Sequence, residues 1–177
     1  MVLGGVGNGP NSAPDSHGPY RCSAPDVGWS RALVCHTLSR VGANGDLLRE
    51  VFRRVNDREF ASLGADLISP DFVRHDLADL FVGVEGQQGV QDFLAMLTAA
   101  APDLRLTIHD LIEDGDRVAV RFTLAGTHTA APLLGAEPTG AAFELDAINI
   151  YRVEHGRIAE TWQLQDGLGL HRAIGLR

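Results

Sequence analysis

"INIYRVEHGRIAETWQLQDGLGL", residues 148–170, is the stretch on which the fold turns. Polar and apolar residues alternate on either side of Glu154-His155-Gly156, a period of two that a helix cannot satisfy. The glycine supplies the turn between them. The stretch therefore predicts two antiparallel strands, 141–153 and 157–165, whose inward polar side chains are amides, Asn149 and Gln163. The segment "GLGLHRAIG" that follows reads as a terminal helical turn with Asp166 at its cap.

Upstream the same period continues. Leu104, Leu106 and Ile108 mark one strand and Val118, Val120, Phe122 and Leu124 the next, with Asp114-Gly115 as the hairpin turn. Together these give a four-stranded antiparallel meander. Before it the period becomes helical. Leu47, Leu48, Val51, Phe52 and Val55 follow a capping Asp46, and Phe60, Leu63 and Leu67 follow Asn56 and Glu59, spaced as a capping box. Pro70 is expected to end that second helix, "FVRHD" (72–76) to form a short strand, and Val90, Phe93, Leu94 and Leu97 to form a third helix stopped by Pro102. The predicted class is α+β: three N-terminal helices packed on one face of a curved, mainly antiparallel sheet that encloses a pocket.

Residues 1–44 differ in composition, with four of eight prolines, seven of twenty glycines and five charged residues. Such a segment cannot bury enough apolar surface to offset ordering its backbone, so we expect a disordered extension, 1–44, followed by one domain, 45–177. The chain is 45% hydrophobic with formal net charge −8. Its acidity disfavours nucleic acid and anionic membrane surfaces as partners. Cys22 and Cys35 both precede the structured region, no apolar run is long enough to span a bilayer, and the start lacks a secretion signal. A cytoplasmic location is expected.

The ordered set "FVRHD", "DGDRVAVRFTLAGTHT", "LGAEPTG", "INIYRVEHGRIAETWQLQD" and "GLGLHRAIG" resembles the SnoaL-like polyketide cyclases of the nuclear transport factor 2-like superfamily, over roughly residues 46–175. The resemblance implies a cone-shaped fold with a deep pocket, a small-molecule substrate, a homodimer or higher homo-oligomer, and neither metal nor organic cofactor. It also implies ring closure of a polyketide by an intramolecular aldol reaction. The acid/base aspartate of such cyclases falls on Gln163, their assisting histidine on Asn149 and a pocket glutamine on Ala147. Amides cannot titrate near neutral pH, which argues against closure by that route. Ketosteroid isomerases of the same superfamily place their proton-shuttling aspartate on His75, their oxyanion-hole aspartic acid on Asn149 and their oxyanion-hole tyrosine near Val51.

His75 is thus the candidate catalytic base, provided that the face it shares with Val73, rather than that of Arg74 and Asp76, lines the pocket. Asn149, Gln163, His128, Tyr151 and Asp166 are the candidate ligand-binding residues; for Asp166 a helix-capping role competes. Trp162, on the face opposite Gln163, is assigned to core or interface. No two histidines and a carboxylate have metal-site spacing, and no serine sits in a nucleophile elbow. The expected function is a cofactor-independent cyclase or isomerase of an apolar carbonyl compound, working by preorganisation with limited acid/base help. The alternatives are a non-catalytic binding or docking module of the same fold and an epoxide or lactone hydrolase using Asp166 or Asp146.

Overall fold

The computed structural model describes residues 42–77, 81 and 83–176 of the 177, all within one compact unit, 38–177. The expected disorder of the N-terminal extension lies outside the described residues. In chain order the elements are α1 (Ala43–Asn56), α2 (Phe60–Leu67), β1 (Ile68–Asp76), α3 (Gly86–Ala100), β2 (Arg105–Asp114), β3 (Arg117–Thr127), β4 (Ala142–Glu154), β5 (Arg157–Gln165) and α4 (Gly167–Ala173). The five strands form one sheet in the order β1-β5-β4-β3-β2, with β1 parallel to β5 and every other pair antiparallel. The α+β class and the meander are as expected.

Strand alternation sends one set of side chains toward α1–α3. Leu48, Phe52 and Val55 of α1 and Leu63 of α2 bury against Val118, Val120 and Phe122 of β3, and the Phe52 and Phe122 rings meet edge to face at 4.9 Å. A second cluster lies at the other end, where Leu97, Leu104, Leu133, Leu145, Leu170 and Ile174 pack together. Among the described residues the outer face of the sheet carries no such cover: Ile148 is 52% exposed, and Val73, Ile150 and Leu164 are exposed as well.

Three local expectations are corrected. Asp46 does not cap α1, which starts three residues earlier at Ala43 and so before the expected domain start at 45. The cap comes from far away in the sequence: Glu113 on β2 accepts from the backbone N–H of Gly42 at 2.7 Å and of Gly45 at 2.9 Å. A carboxylate there also opposes the positive end of the helix dipole. Replacing Glu113 by alanine is expected to lower unfolding free energy by about 1 kcal/mol, read from denaturant titration; an unchanged midpoint would show that the cap carries nothing.

Asn56 does not cap α2 either. It ends α1, and its amide pairs with the backbone of Leu106, Nδ2 donating to the carbonyl at 2.9 Å and Oδ1 accepting from the N–H at 2.8 Å. The side chain imitates a strand partner and ties α1 to β2. Finally, α2 ends before Pro70, and β1 begins at Ile68 with Pro70 inside it. An edge strand with an irregular register between Ile68 and Val73 tolerates a residue that cannot donate to the ladder.

A cavity lined by strand donors and helix hydrocarbons

Between the helices and the inner face of the sheet lies a cavity of about 850 Å³ of atom-free space, its mouth included. Helices supply only hydrocarbon to its wall, including Val51, Leu63, Val90, Phe93 and Leu97. The polar groups all come from three adjacent strands: Arg74 from β1, Thr161, Gln163 and Gln165 from β5, and Asn149 and Tyr151 from β4. Register explains this grouping. Asn149 pairs with Gln163, Tyr151 with Thr161, and Arg74 with Thr161 from the other side, so their side chains share a face.

Tyr151 is buried, and its hydroxyl accepts from Asn149 Nδ2 at 2.9 Å. Burial pushes the phenol up to about 12, against the smaller opposing effects of the Asn149 hydrogen bond and the Arg74 charge. It is therefore a neutral O–H donor at physiological pH rather than a base. Since its oxygen already accepts from Asn149, its proton is left for another acceptor, and none is found among the described residues. Arg74 Nε donates to Gln163 Oε1 at 2.6 Å, its Nη1 donates to the Phe81 carbonyl, and its guanidinium lies 4.9 Å from the Phe93 ring centroid. Thr161 is fully buried and donates to the Ile150 carbonyl at 3.2 Å.

Asn149, Gln163 and Tyr151 thus line the cavity. His75 does not, because the inward phase of β1 belongs to Phe72 and Arg74. His75 lies on the outer face, its Nε2 2.9 Å from Glu160 Oε1 and its ring stacked on Trp162 at 5.1 Å. The Glu160 carboxyl also accepts from Arg152 Nε at 2.9 Å, and Arg152 first and His75 second hold it below the usual carboxylate range. Alternation alone could not choose the phase, since Phe72 and Val73 are both apolar. His75→Ala is expected to leave ligand affinity and turnover within about twofold of wild type, as no contact in the cavity changes; a large loss of turnover would relocate the reaction to the outer face.

His128 is fully buried away from the cavity, with Nε2 2.9 Å from the Ala131 carbonyl. Its backbone bonds with Ala141 and Gly140 close the loop between β3 and β4. Asp166 caps α4, accepting from Gly169 N–H at 2.8 Å, and does not line the cavity. Asp146 is on the outer face and accepts from Thr123 Oγ1 at 3.2 Å. The sequence reading missed Arg74; the buried Phe72 two residues before it fixes its phase only once the packing is known. Among the described residues, no carboxylate or imidazole lines the cavity.

No curated protein sequence matches the chain. Among solved structures it is similar to IdmH from Streptomyces antibioticus, at 28% identity and TM-score 0.64 over 75% of this chain and 99% of that one. It is also similar to TsrD from Streptomyces laurentii, at 25% identity and TM-score 0.68 over 78% and 99%. AclR from Streptomyces galilaeus, at 23% identity and TM-score 0.64 over 75% and 95%, shares the fold. The model of the SnoaL-like polyketide cyclases matches residues 46–174, from the first turns of α1 through the end of α4. The fold of helices on a five-stranded sheet is thus shared, and this chain belongs to the SnoaL-like polyketide cyclase family.

Proposed function

We propose that the protein is a cyclase or isomerase acting, without an organic cofactor, on an apolar, carbonyl-bearing polyketide-type molecule. The observation that carries this reading is the Tyr151 hydroxyl, which is buried, neutral, polarised by Asn149 and without an acceptor among the described residues. A phenol that accepts one hydrogen bond donates a stronger one. A substrate carbonyl oxygen placed against it would be stabilised as negative charge develops there during bond formation, and the Arg74 charge favours negative charge at the same point. The hydrocarbon wall would hold the rest of the chain folded near its reactive conformation.

With amides and a phenol as its polar groups, the cavity suits ring closures limited by orientation rather than by abstraction of a weakly acidic proton. A substrate C–H bond breaks as the ring C–C bond forms and its proton passes to the acceptor carbonyl oxygen, giving an isomer; departure of that hydroxyl with a neighbouring proton then gives the product lighter by one water. This differs from aldol closure driven by an aspartate, which the resemblance would set at Gln163, an amide whose Oε1 accepts from Arg74. A non-catalytic carrier of the same ligand class is the second reading, favoured by the lack of a carboxylate or imidazole among the described lining residues. The hydrolase reading finds no support, since Asp166 and Asp146 are engaged outside the cavity.

Mass spectrometry of the molecule retained by the purified full-length protein tests the proposal. An apolar compound that forms oximes with hydroxylamine, and is converted on incubation to an isomer or to a product lighter by one water, is the expected result. Retention without conversion would select the carrier, and a retained molecule lacking carbonyl groups would reject both.

A further inference from the structure

Gln165 has no role in the donor arrangement above, yet its amide is a second polar group in the cavity wall, beside the Tyr151 hydroxyl, with an unmet need. Its Nε2 is buried from solvent and has no hydrogen-bond partner among the described residues. Buried amides are paired in nearly all folded proteins, because an unpaired N–H forfeits its hydration with nothing in return. Gln165 ends β5 opposite Ala147, whose methyl leaves room beside it, and both residues border a shallow outer groove that includes Arg121, Asp146 and Asp166. The two carboxylates of that groove are committed elsewhere, Asp166 to Gly169 N–H and Asp146 to Thr123. The amide has therefore not been drawn outward to an acid.

We infer that Gln165 is a second ligand anchor and that the ligand carries two acceptor oxygens, one held at Tyr151 and one further along the β4–β5 pair at Gln165. The inference rests on the carbonyl-ligand reading of this cavity and adds the ligand's shape. Tyr151 pairs with Thr161, and Gln165 lies four residues further along the same strand and in the same phase. Their backbone positions are roughly 13 Å apart at the usual rise of a strand. A compact monoketone reaches one anchor; an elongated molecule with neutral carbonyl or ether oxygens near both ends reaches both. Between the anchors lie Asn149 and Gln163, so the donors form a line along the β4–β5 pair while hydrocarbon faces them.

The test uses two probes of equal chain length, 2-undecanone and 2,10-undecanedione, with binding to the full-length protein followed by calorimetry. Wild type is expected to bind the dione about fivefold more tightly, the worth of one neutral hydrogen bond. Gln165→Leu erases that preference, and Tyr151→Phe weakens both probes. Without ligand, Gln165→Leu is expected to melt at or above the wild-type temperature, since it removes an unpaired amide. A fall of several degrees would mean that the amide is already paired and would overturn the assignment. So would equal binding of the two ketones by wild type, or a preference that survives Gln165→Leu; either leaves the carbonyl cavity standing. Failure of wild type to bind either ketone would overturn the carbonyl reading itself.

Discussion

On the proposed function, replacing Tyr151 by phenylalanine is expected to lower turnover by roughly a hundredfold, the usual cost of removing one donor from a preorganised oxyanion site. The ring remains, so the apolar wall keeps its shape. The Asn149 N–H loses its acceptor, and stability falls by about 1 to 2 kcal/mol. The informative comparison is between ground state and transition state: if the phenol donates to developing charge, kcat drops far more than KM rises. A rise in KM with kcat unchanged would mean that Tyr151 only binds.

The same variant isolates a titration. The chain has no lysine, and Tyr20 and Tyr151 are its two tyrosines. The difference between wild-type and Tyr151→Phe absorbance titrations therefore reports Tyr151 alone, expected to ionise at about 12 rather than near the ordinary value of about 10. Because the folded state favours the protonated phenol, the associated stability is fully present below the unfolded pKa and is lost as pH rises through the folded one. Wild type should lose on the order of 2 to 3 kcal/mol between about pH 10 and 12, and the phenylalanine variant should not. A phenol titrating at its ordinary value would place Tyr151 in contact with bulk water.

The second large effect is on stability, at Arg58. This residue turns the chain from α1 into α2 with a φ of 65°, a left-handed conformation that non-glycine residues rarely adopt. Its guanidinium holds the conformation in place. Nη1 donates to the Val55 and Asn56 carbonyls at the C-terminus of α1, at 3.1 and 3.4 Å. Nη2 donates to the carbonyls of Pro102 and Leu104 in the turn after α3, at 2.9 and 2.8 Å. Charged donors at a helix C-terminus satisfy orphan carbonyls and oppose its negative dipole end. Arg58→Ala is expected to cost about 3 kcal/mol, near 10 °C in Tm, since two turns separated by 44 residues lose their common pin. Lysine cannot fork to both turns and should recover little of this. Glycine should be milder than alanine by about 1 kcal/mol because it relieves the backbone. Alanine melting within 2 °C of wild type would show that the pin carries no weight.

Legibility in the sequence followed whichever signal had a single reading. The 148–165 hairpin was plain because its turn glycine and its period of two agree. The edge strand β1 was not, because Pro70 resembles a helix stop and Phe72-Val73 offers an apolar residue to each face, which sent His75 inward and Arg74 outward. Hydrophobicity would also have misplaced β4: Ile148 and Ile150 face outward and are exposed, while Asn149 and Tyr151 point inward. The hairpin reading, which set the amides Asn149 and Gln163 inward, nonetheless put Asn149 on the correct side. Asn56 and Glu113 were misread or unseen for another reason. Their partners, Leu106 and the Gly42–Gly45 turn, are 50 or more residues away, and local spacing carries no trace of them.

On the proposed function, the wall's split origin would make selectivity modular. Trimming or enlarging Leu63, Val90 or Leu97 would recut the hydrocarbon mould, while the ladder of hydroxyl and amide groups, locked in register by strand pairing, would keep its aim. A lineage built this way can trade one carbon skeleton for another by changing helices alone, with the chemistry of its oxygens inherited intact.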